Sequence, residues 1–464
     1  MGAEITETEK KPEKIINIEN LRVTFQCGKE AVRGVSFELY PGELLALVGE
    51  SGSGKTALCR SLLGLSPDGA KITFDVLERP ALNKMSLIMQ DAMTSLDPAM
   101  PVGKQITEGN KIYRPNPEEL LSRVGIDNPN IRKRQYPGEF SGGMRQRAAA
   151  AVALAMRPEA IFADEPTTSL DADIRIKIME LISKIRTDGA AVLFVTHDLS
   201  LVKNFADRVM IMKDGKIIEK GETAEIFANP REEYSKELIR HSSESYKFRK
   251  ETTGKHSDTK LIEIKKLSKY YPLGYGRLNC VFKDVDFDIY EGETTGLCGA
   301  SGIGKSTLAR CIAGLEKPSG GERYAKDGLS IQMIFQDCSS AFNPRMTVGQ
   351  IIAEPVYLAD KQRPPREAIL ELMGNCGLEP ELINRRSREL SGGQRQRVAI
   401  ARAVAAKPGL IIADEPFSSL DVIACGKIIR LLKRLKEEHN LTMLLISHDL
   451  NLLENISGRI IRMS

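Results

Sequence analysis

The feature that most constrains this chain is that it contains itself twice. Lys55 in GESGSGKT recurs as Lys305 in GASGIGKS, Ser141 as Ser391 and Asp164 as Asp414, each 250 positions on, and His197 recurs as His448 at 251. Residues 140–172 match residues 390–422 at 19 of 33 positions without a gap. Solenoid repeats run about 20–50 residues, so a period this long means two duplicated domains. A length of 464 residues agrees, being too great for one core. Between the copies, residues 241–260 (HSSESYKFRKETTGKHSDTK) are polar, rich in Ser, Thr and Lys and poor in aliphatics, as a linker should be. The domains expected are therefore 15–240 and 261–464, with residues 1–14 as a tail. The second copy runs to a position aligned with about Lys213, so the closing strands and helix encoded by DGKIIEKGETAEIF have no counterpart in it.

Composition excludes several classes. With 42% apolar and 28% charged residues the chain reads as globular. A net charge of +4 gives no broad basic field, so neither nucleic acid nor anionic lipid is expected as a main partner. Eight cysteines without a CxxC pair favour reduced thiols in the cytoplasm. The longest uncharged apolar run, residues 148–156, is far short of the about 20 residues a membrane span needs. The N-terminus has no apolar signal core. Such a chain is expected at a membrane only through a partner.

Within each copy the pattern is α/β. ELLALVG and ETTGLCG are short apolar strands running into a Gly-rich turn, with helical stretches from Thr56 and Ser306. AIFADE and LIIADE end in acids, and AVLFVTHD and TMLLISHD end in a histidine. Apolar strands with polar residues at their carboxyl ends describe a largely parallel sheet with its site along that edge. The turns match G-x-x-x-x-G-K-[ST], the P-loop, at residues 49–56 and 299–306. Gly49, Gly52 and Gly54, with Ser51, and Gly299, Gly302 and Gly304, with Ser301, let backbone N–H groups curl around phosphate. The helix N-terminus adds partial positive charge. Lys55 and Lys305 should reach the β- and γ-phosphates of a nucleotide, and the Thr56 and Ser306 hydroxyls should ligate Mg²⁺, with Thr307 beside them.

A P-loop alone specifies only a nucleotide. Here FSGGM (140–144) and LSGGQ (390–394) stand 23 residues before Asp164-Glu165 and Asp414-Glu415. Each acid pair is followed by Ser-Leu-Asp and then by the strand-end His197 or His448, and Gln90 and Gln336 follow apolar strands between P-loop and FSGGM or LSGGQ. This constellation resembles the ATP-binding-cassette superfamily over nearly the whole chain.

The resemblance implies two tandem P-loop nucleotide-binding domains, each a RecA-like, mostly parallel core sheet with an antiparallel β subdomain and an α-helical signature subdomain. It implies an ATPase using ATP and Mg²⁺, with Asp164 and Asp414 holding the cation and Gln90 and Gln336 sensing it. Glu165 and Glu415 would be general bases, and His197 and His448 would hold the γ-phosphate. It also implies head-to-tail pairing of the halves: Ser141, Gly142 and Gly143 would close over ATP held at Lys305, and Ser391, Gly392 and Gly393 over ATP held at Lys55. An aromatic after the first strand would stack on adenine; Phe25 and Tyr271 stand there, with Tyr270 adjacent.

The segments QDAMTSLDPAMPVGKQI and QDCSSAFNPRMTVGQIIAEP look like those of dipeptide, oligopeptide and nickel importer ATPases, and IFANPREEYSKEL resembles the segment that follows the cassette there. Those importers commonly pair one subunit carrying FSGGMRQR with another carrying LSGGQRQR, and this chain has one of each. The expectation is a fused ATPase for peptides, nickel or metal–chelator complexes, at the cytoplasmic face of the membrane, with two permease subunits and an extracytoplasmic substrate-binding protein. Other assignments stay open: an energy-coupling-factor importer of vitamins or metals, a translation factor of the tandem-cassette type, or a component of phosphonate degradation.

Overall fold

The computed structural model describes residues 13–463, apart from residues 51, 68, 90–94, 109–113, 168–171, 245–257, 275–276, 301, 339, 418–419, 421, 440 and 448. Its contacts divide it into two compact units, Met1–Arg240 and His241–Ser464.

In the first unit a six-stranded sheet has the order Lys216–Glu222, Arg208–Lys213, Leu44–Val48, Ala191–Thr196, Ala160–Asp164, Met85–Ile88. Five strands are parallel, and Lys216–Glu222 is an antiparallel addition at one edge. LLALV, AIFAD and AVLFVT are buried at every position. Runs without polar interruption suit strands covered on both faces. Against this core lies an antiparallel sheet in which Ile16–Thr24 pairs with Glu30–Leu39, Lys71–Thr73 and Val76–Glu78. There Ile16, Ile18, Leu21 and Val23 are buried while the residues between are more exposed, as one-sided packing requires. The helix Gly142–Ala155 buries alanines 148–151, whose small side chains allow close approach.

The second unit has a wholly parallel five-stranded sheet, in the order Ile331–Ile334, Leu410–Asp414, Thr442–Ile446, Thr294–Cys298, Arg459–Arg462. An antiparallel sheet of Arg277–Tyr290, Lys260–Gly274 and Gly320–Ala325 packs with it through a shared apolar cluster. The helices Val348–Asp360, Arg366–Asn375 and Gly392–Ala405 belong to a second cluster.

Two boundaries differ from the sequence reading. The helices after the P-loops begin at Lys55 and Lys305, one residue early, because Gly54 and Gly304 are their N-caps. Glu233–Glu244 is one helix and enters the segment read as linker, because Tyr234 and Leu238 are anchored in the core. Arg459–Arg462 pairs with Thr294–Cys298 as Arg208–Lys213 pairs with Leu44–Val48, so it is the counterpart of the strand that precedes DGKIIEKGETAEIF. Among the described residues no helix is long and apolar enough to cross a membrane.

Candidate functional site

The site residues gather at the carboxyl edge of the parallel sheets. Gly49 follows Val48, Asp164 ends its own strand, and His197 follows Thr196, on three neighbouring strands. Three segments far apart in sequence thus deliver their polar ends to one edge.

At the P-loops, Gly54 and Gly304 have φ of +107° and +102°. A Cβ on Gly54 would lie 2.3 Å from the Ala31 carbonyl oxygen, and one on Gly304 2.6 Å from Val281 Cγ1. Backbone and space both demand glycine there. Gly52 and Gly302 also have positive φ, +84° and +80°, but face open space. Lys55 is buried and curls into its loop, Nζ donating to the carbonyls of Gly49 and Glu50, both at 2.8 Å. Lys305 does the same with Gly299 at 2.8 Å and Ala300 at 3.0 Å. Each ammonium therefore sits in its loop at the start of a helix, an arrangement that can hold phosphate.

Thr56 Oγ1 donates to Asp164 Oδ1 at 3.2 Å, bringing together residues 108 positions apart. Burial raises the Asp164 carboxyl above its usual value, with the Thr56 hydrogen bond opposing and the neighbouring Glu165 adding to the rise. Asp414 is likewise raised by burial, opposed by a hydrogen bond from the Ser306 hydroxyl. Its Oδ1 is buried without a hydrogen-bond partner. A buried carboxylate oxygen left unpaired beside a hydroxyl and a phosphate-binding loop suits a divalent cation, which would supply the missing charge.

Glu165 and Glu415 follow these acids with φ of +49° and +48°. Such a conformation in a non-glycine residue costs about 1–3 kcal/mol and concentrates at functional sites. His197 Nδ1 stands 3.4 Å from Glu165 Oε2, so the first unit brings its strand-end acid and histidine together.

Ser141 and Ser391 cap the helices Gly142–Ala155 and Gly392–Ala405, accepting from the N–H groups of Met144 and Gln394, both at 3.3 Å. Ser141, Gly142, Ser391 and Gly392 are all exposed, with Gly143 and Gly393 partly so. Their helix N-termini therefore remain available to an anion.

Phe25 stands just after Ile16–Thr24, half-buried against the core. Tyr271 lies within Lys260–Gly274, its hydroxyl bonded to Glu316. Lys269 Nζ stands 4.9 Å from the centre of its ring. Gln336 is exposed after the strand Ile331–Ile334. Ser51, Gln90, Ser301 and His448 lie outside the described residues.

Two contacts had no signature in the sequence. Gln146, buried in the helix behind Ser141, donates to the Met89 carbonyl at 3.2 Å. In the second copy the equivalent Gln396 instead accepts from Cys338 Sγ at 2.7 Å. Tyr234, beyond the first cassette, bonds the P-loop through the Glu50 N–H. Neither partner is near in sequence, so no local spacing could have marked them.

The chain matches the family model of the ABC transporter domain twice, at residues 32–168 and 282–418. It is 36% identical to the peptidoglycan transport ATP-binding protein YejF of Agrobacterium fabrum, over 97% of this chain and 91% of that protein. It is 34% identical to the glutathione import ATP-binding protein GsiA of Escherichia coli K12, over 96% of this chain and 84% of that protein. Among solved structures it resembles an archaeal ribosome recycling factor in complex with a ribosomal stalk protein, with a TM-score of 0.67 and 22% identity over 96% of this chain and 87% of that one. At that identity the likeness speaks for the fold alone. Two family matches and full-length relatives, on a chain carrying two P-loops with their strand-end acids, place it in the ABC transporter family as a tandem ATP-binding, ATP-hydrolysing protein.

Proposed function

We propose that this chain is the energy-coupling ATPase of a membrane importer for peptide-containing solutes. The supporting observation is its likeness, over nearly its whole length, to ATP-binding proteins named for peptidoglycan transport and glutathione import, both solutes with peptide parts. In this reading it works at the cytoplasmic face of the membrane with two permease subunits and an extracytoplasmic substrate-binding protein.

The chemistry follows from the site. Lys55 and Lys305, with the loop N–H groups, hold the β- and γ-phosphates, while Phe25 and Tyr271 stack on adenine. Thr56 with Asp164, and Ser306 with Asp414, would hold Mg²⁺, joined by Gln90 and Gln336. The ion would offset charge on the phosphates. Glu165 and Glu415 each accept a proton from water as its oxygen bonds the γ-phosphorus and the bond to the β-phosphate oxygen breaks, a contribution worth about 10²–10⁴-fold. His197 and His448 offset charge developing on the γ-phosphate. The exposed signature serines and glycines act in trans, those of each copy on ATP held by the other.

The test is uptake. Cells lacking the gene should lose accumulation of a labelled tripeptide, wild-type chain should restore it, and Glu165→Gln should not. Full chain purified from membranes should bring two integral subunits with it. Undiminished uptake in the null cells, or purification without any membrane subunit, would overturn the proposal.

A further inference from the structure

We infer that Tyr234 is a positioning residue for nucleotide at the first P-loop, and that the segment after the first cassette's closing hairpin sets ATP affinity through it. The inference rests on reading residues 49–56 as an ATP site.

Tyr234 belongs to the first turn of Glu233–Glu244 and is 7% exposed. Its hydroxyl accepts from the Glu50 N–H at 3.1 Å, across 184 positions of sequence. That N–H and the Gly49 carbonyl belong to one peptide group, which is planar and turns as a unit. The Gly49 carbonyl receives Lys55 Nζ at 2.8 Å. Tyr234 and Lys55 therefore hold opposite sides of the same peptide plane. Whatever orients that plane also seats the lysine charge that faces the phosphates.

Tyr234 is itself held. Lys213 Nζ stands 4.6 Å from the centre of its ring. The buried Glu219 carboxylate accepts from the N–H groups of Arg231 and Glu232, at 2.8 and 3.2 Å, which fixes the entry to the helix. From the turn of the closing hairpin the Gly215 N–H donates to the Ser53 carbonyl at 2.9 Å, while the Gly215 carbonyl accepts from the Arg33 N–H at 2.7 Å. Glu50 and Ser53 are thus both gripped by residues that follow the strand Arg208–Lys213. A loop ordered before the ligand arrives loses less freedom on binding, and affinity rises accordingly. Without the hydroxyl, the peptide 49–50 can turn and Lys55 keeps the Glu50 carbonyl but loses its fixed acceptor at Gly49.

The experiment uses the full chain with each site silenced in turn. Lys305→Ala leaves the first P-loop as the reporter, and Lys55→Ala leaves the second. Tyr234→Phe is placed in both, and binding of the non-hydrolysable analogue adenylyl imidodiphosphate with Mg²⁺ is titrated. The ring and its contact with Lys213 survive this change, so the thermal midpoint should hold. In the Lys305→Ala background Kd should rise about three- to tenfold, equivalent to about 0.7–1.4 kcal/mol. In the Lys55→Ala background it should stay put, because Tyr234 bonds the first P-loop. Equal effects in the two backgrounds would overturn the inference. So would Tyr234→Phe behaving as wild type while Tyr234→Ala loses both affinity and stability, since the residue would then only pack. Failure of the Lys305→Ala parent to bind, before Tyr234 is changed, would instead overturn the assignment of residues 49–56, and the inference with it.

Discussion

Glu165 Oε2 lies 3.4 Å from His197 Nδ1, at the carboxyl ends of adjacent strands. The Glu165 N–H donates to the Val195 carbonyl at 2.9 Å, so the neighbouring strand holds the residue in its left-handed conformation. Glu415 repeats this with the Ile446 carbonyl at 3.0 Å. Sheet pairing on one side sustains a backbone geometry that glutamate would not choose alone.

If these glutamates accept the proton from water, Glu165→Gln should remove the base and keep the shape. Phosphate release from the first site, measured with Glu415→Gln silencing the second, should fall about 10²–10⁴-fold. The thermal midpoint should not move. Unchanged release would show that Glu165 is not the base.

The two P-loop glycines separate strain from clash. Gly54→Ala places a Cβ 2.3 Å from the Ala31 oxygen, whereas Gly52→Ala meets nothing within 4 Å. Both force a side chain into positive φ, at about 1–3 kcal/mol, and only Gly54→Ala must also move backbone. Denaturant titration should rank Gly54→Ala as clearly the less stable. Equal midpoints would refute the packing described for the loop.

Pairing in trans predicts an effect without a fold defect. Gly142 is exposed, has no neighbour a Cβ would meet, and opens a helix where a negative side chain is tolerated. Gly142→Asp should therefore leave the thermal midpoint within a degree or two. It should abolish hydrolysis at Lys305, read in a Glu165→Gln background, because the carboxylate repels phosphate. Full turnover there would mean that the signature of the first copy does not serve the second site.

Cysteine reactivity should follow burial. Burial pushes the thiols of Cys338 and Cys376 up to about 12, whereas Cys27 and Cys280 are exposed. The thiolate is the reacting form, so at pH 8 the buried pair should alkylate about a thousandfold more slowly. Raising the pH toward 10 increases their thiolate fraction without making it large. Mass spectrometry after brief alkylation should find Cys27 and Cys280 modified, with Cys338 and Cys376 reacting only on unfolding.

Much of this protein was legible before any coordinate. LLALV, AIFAD and their counterparts are strands because an uninterrupted apolar run has nowhere to go but a covered sheet. The P-loop glycines, the serine N-caps of the signature helices and the acids at strand ends are encoded within a few residues, where spacing alone reveals them. The repeat then assigns every one of them twice. What sequence missed were relationships carried by neither copy's motifs, such as Gln146 with Met89 and Tyr234 with Glu50.

The division has one cause. A turn, a cap or a buried strand is decided by neighbours in the chain, so its residues announce it. The meeting of Thr56 with Asp164 across 108 positions, or of Tyr234 with Glu50 across 184, depends on which strands lie side by side and where the chain returns. Sheet order fixed those distances, and with them the left-handed glutamates and the grip on the peptide that seats Lys55. The amino-acid sequence determined by itself that there are two ATP-binding cassettes; only the tertiary structure decided that the hydroxyl of Tyr234 meets the Glu50 N–H of the first P-loop.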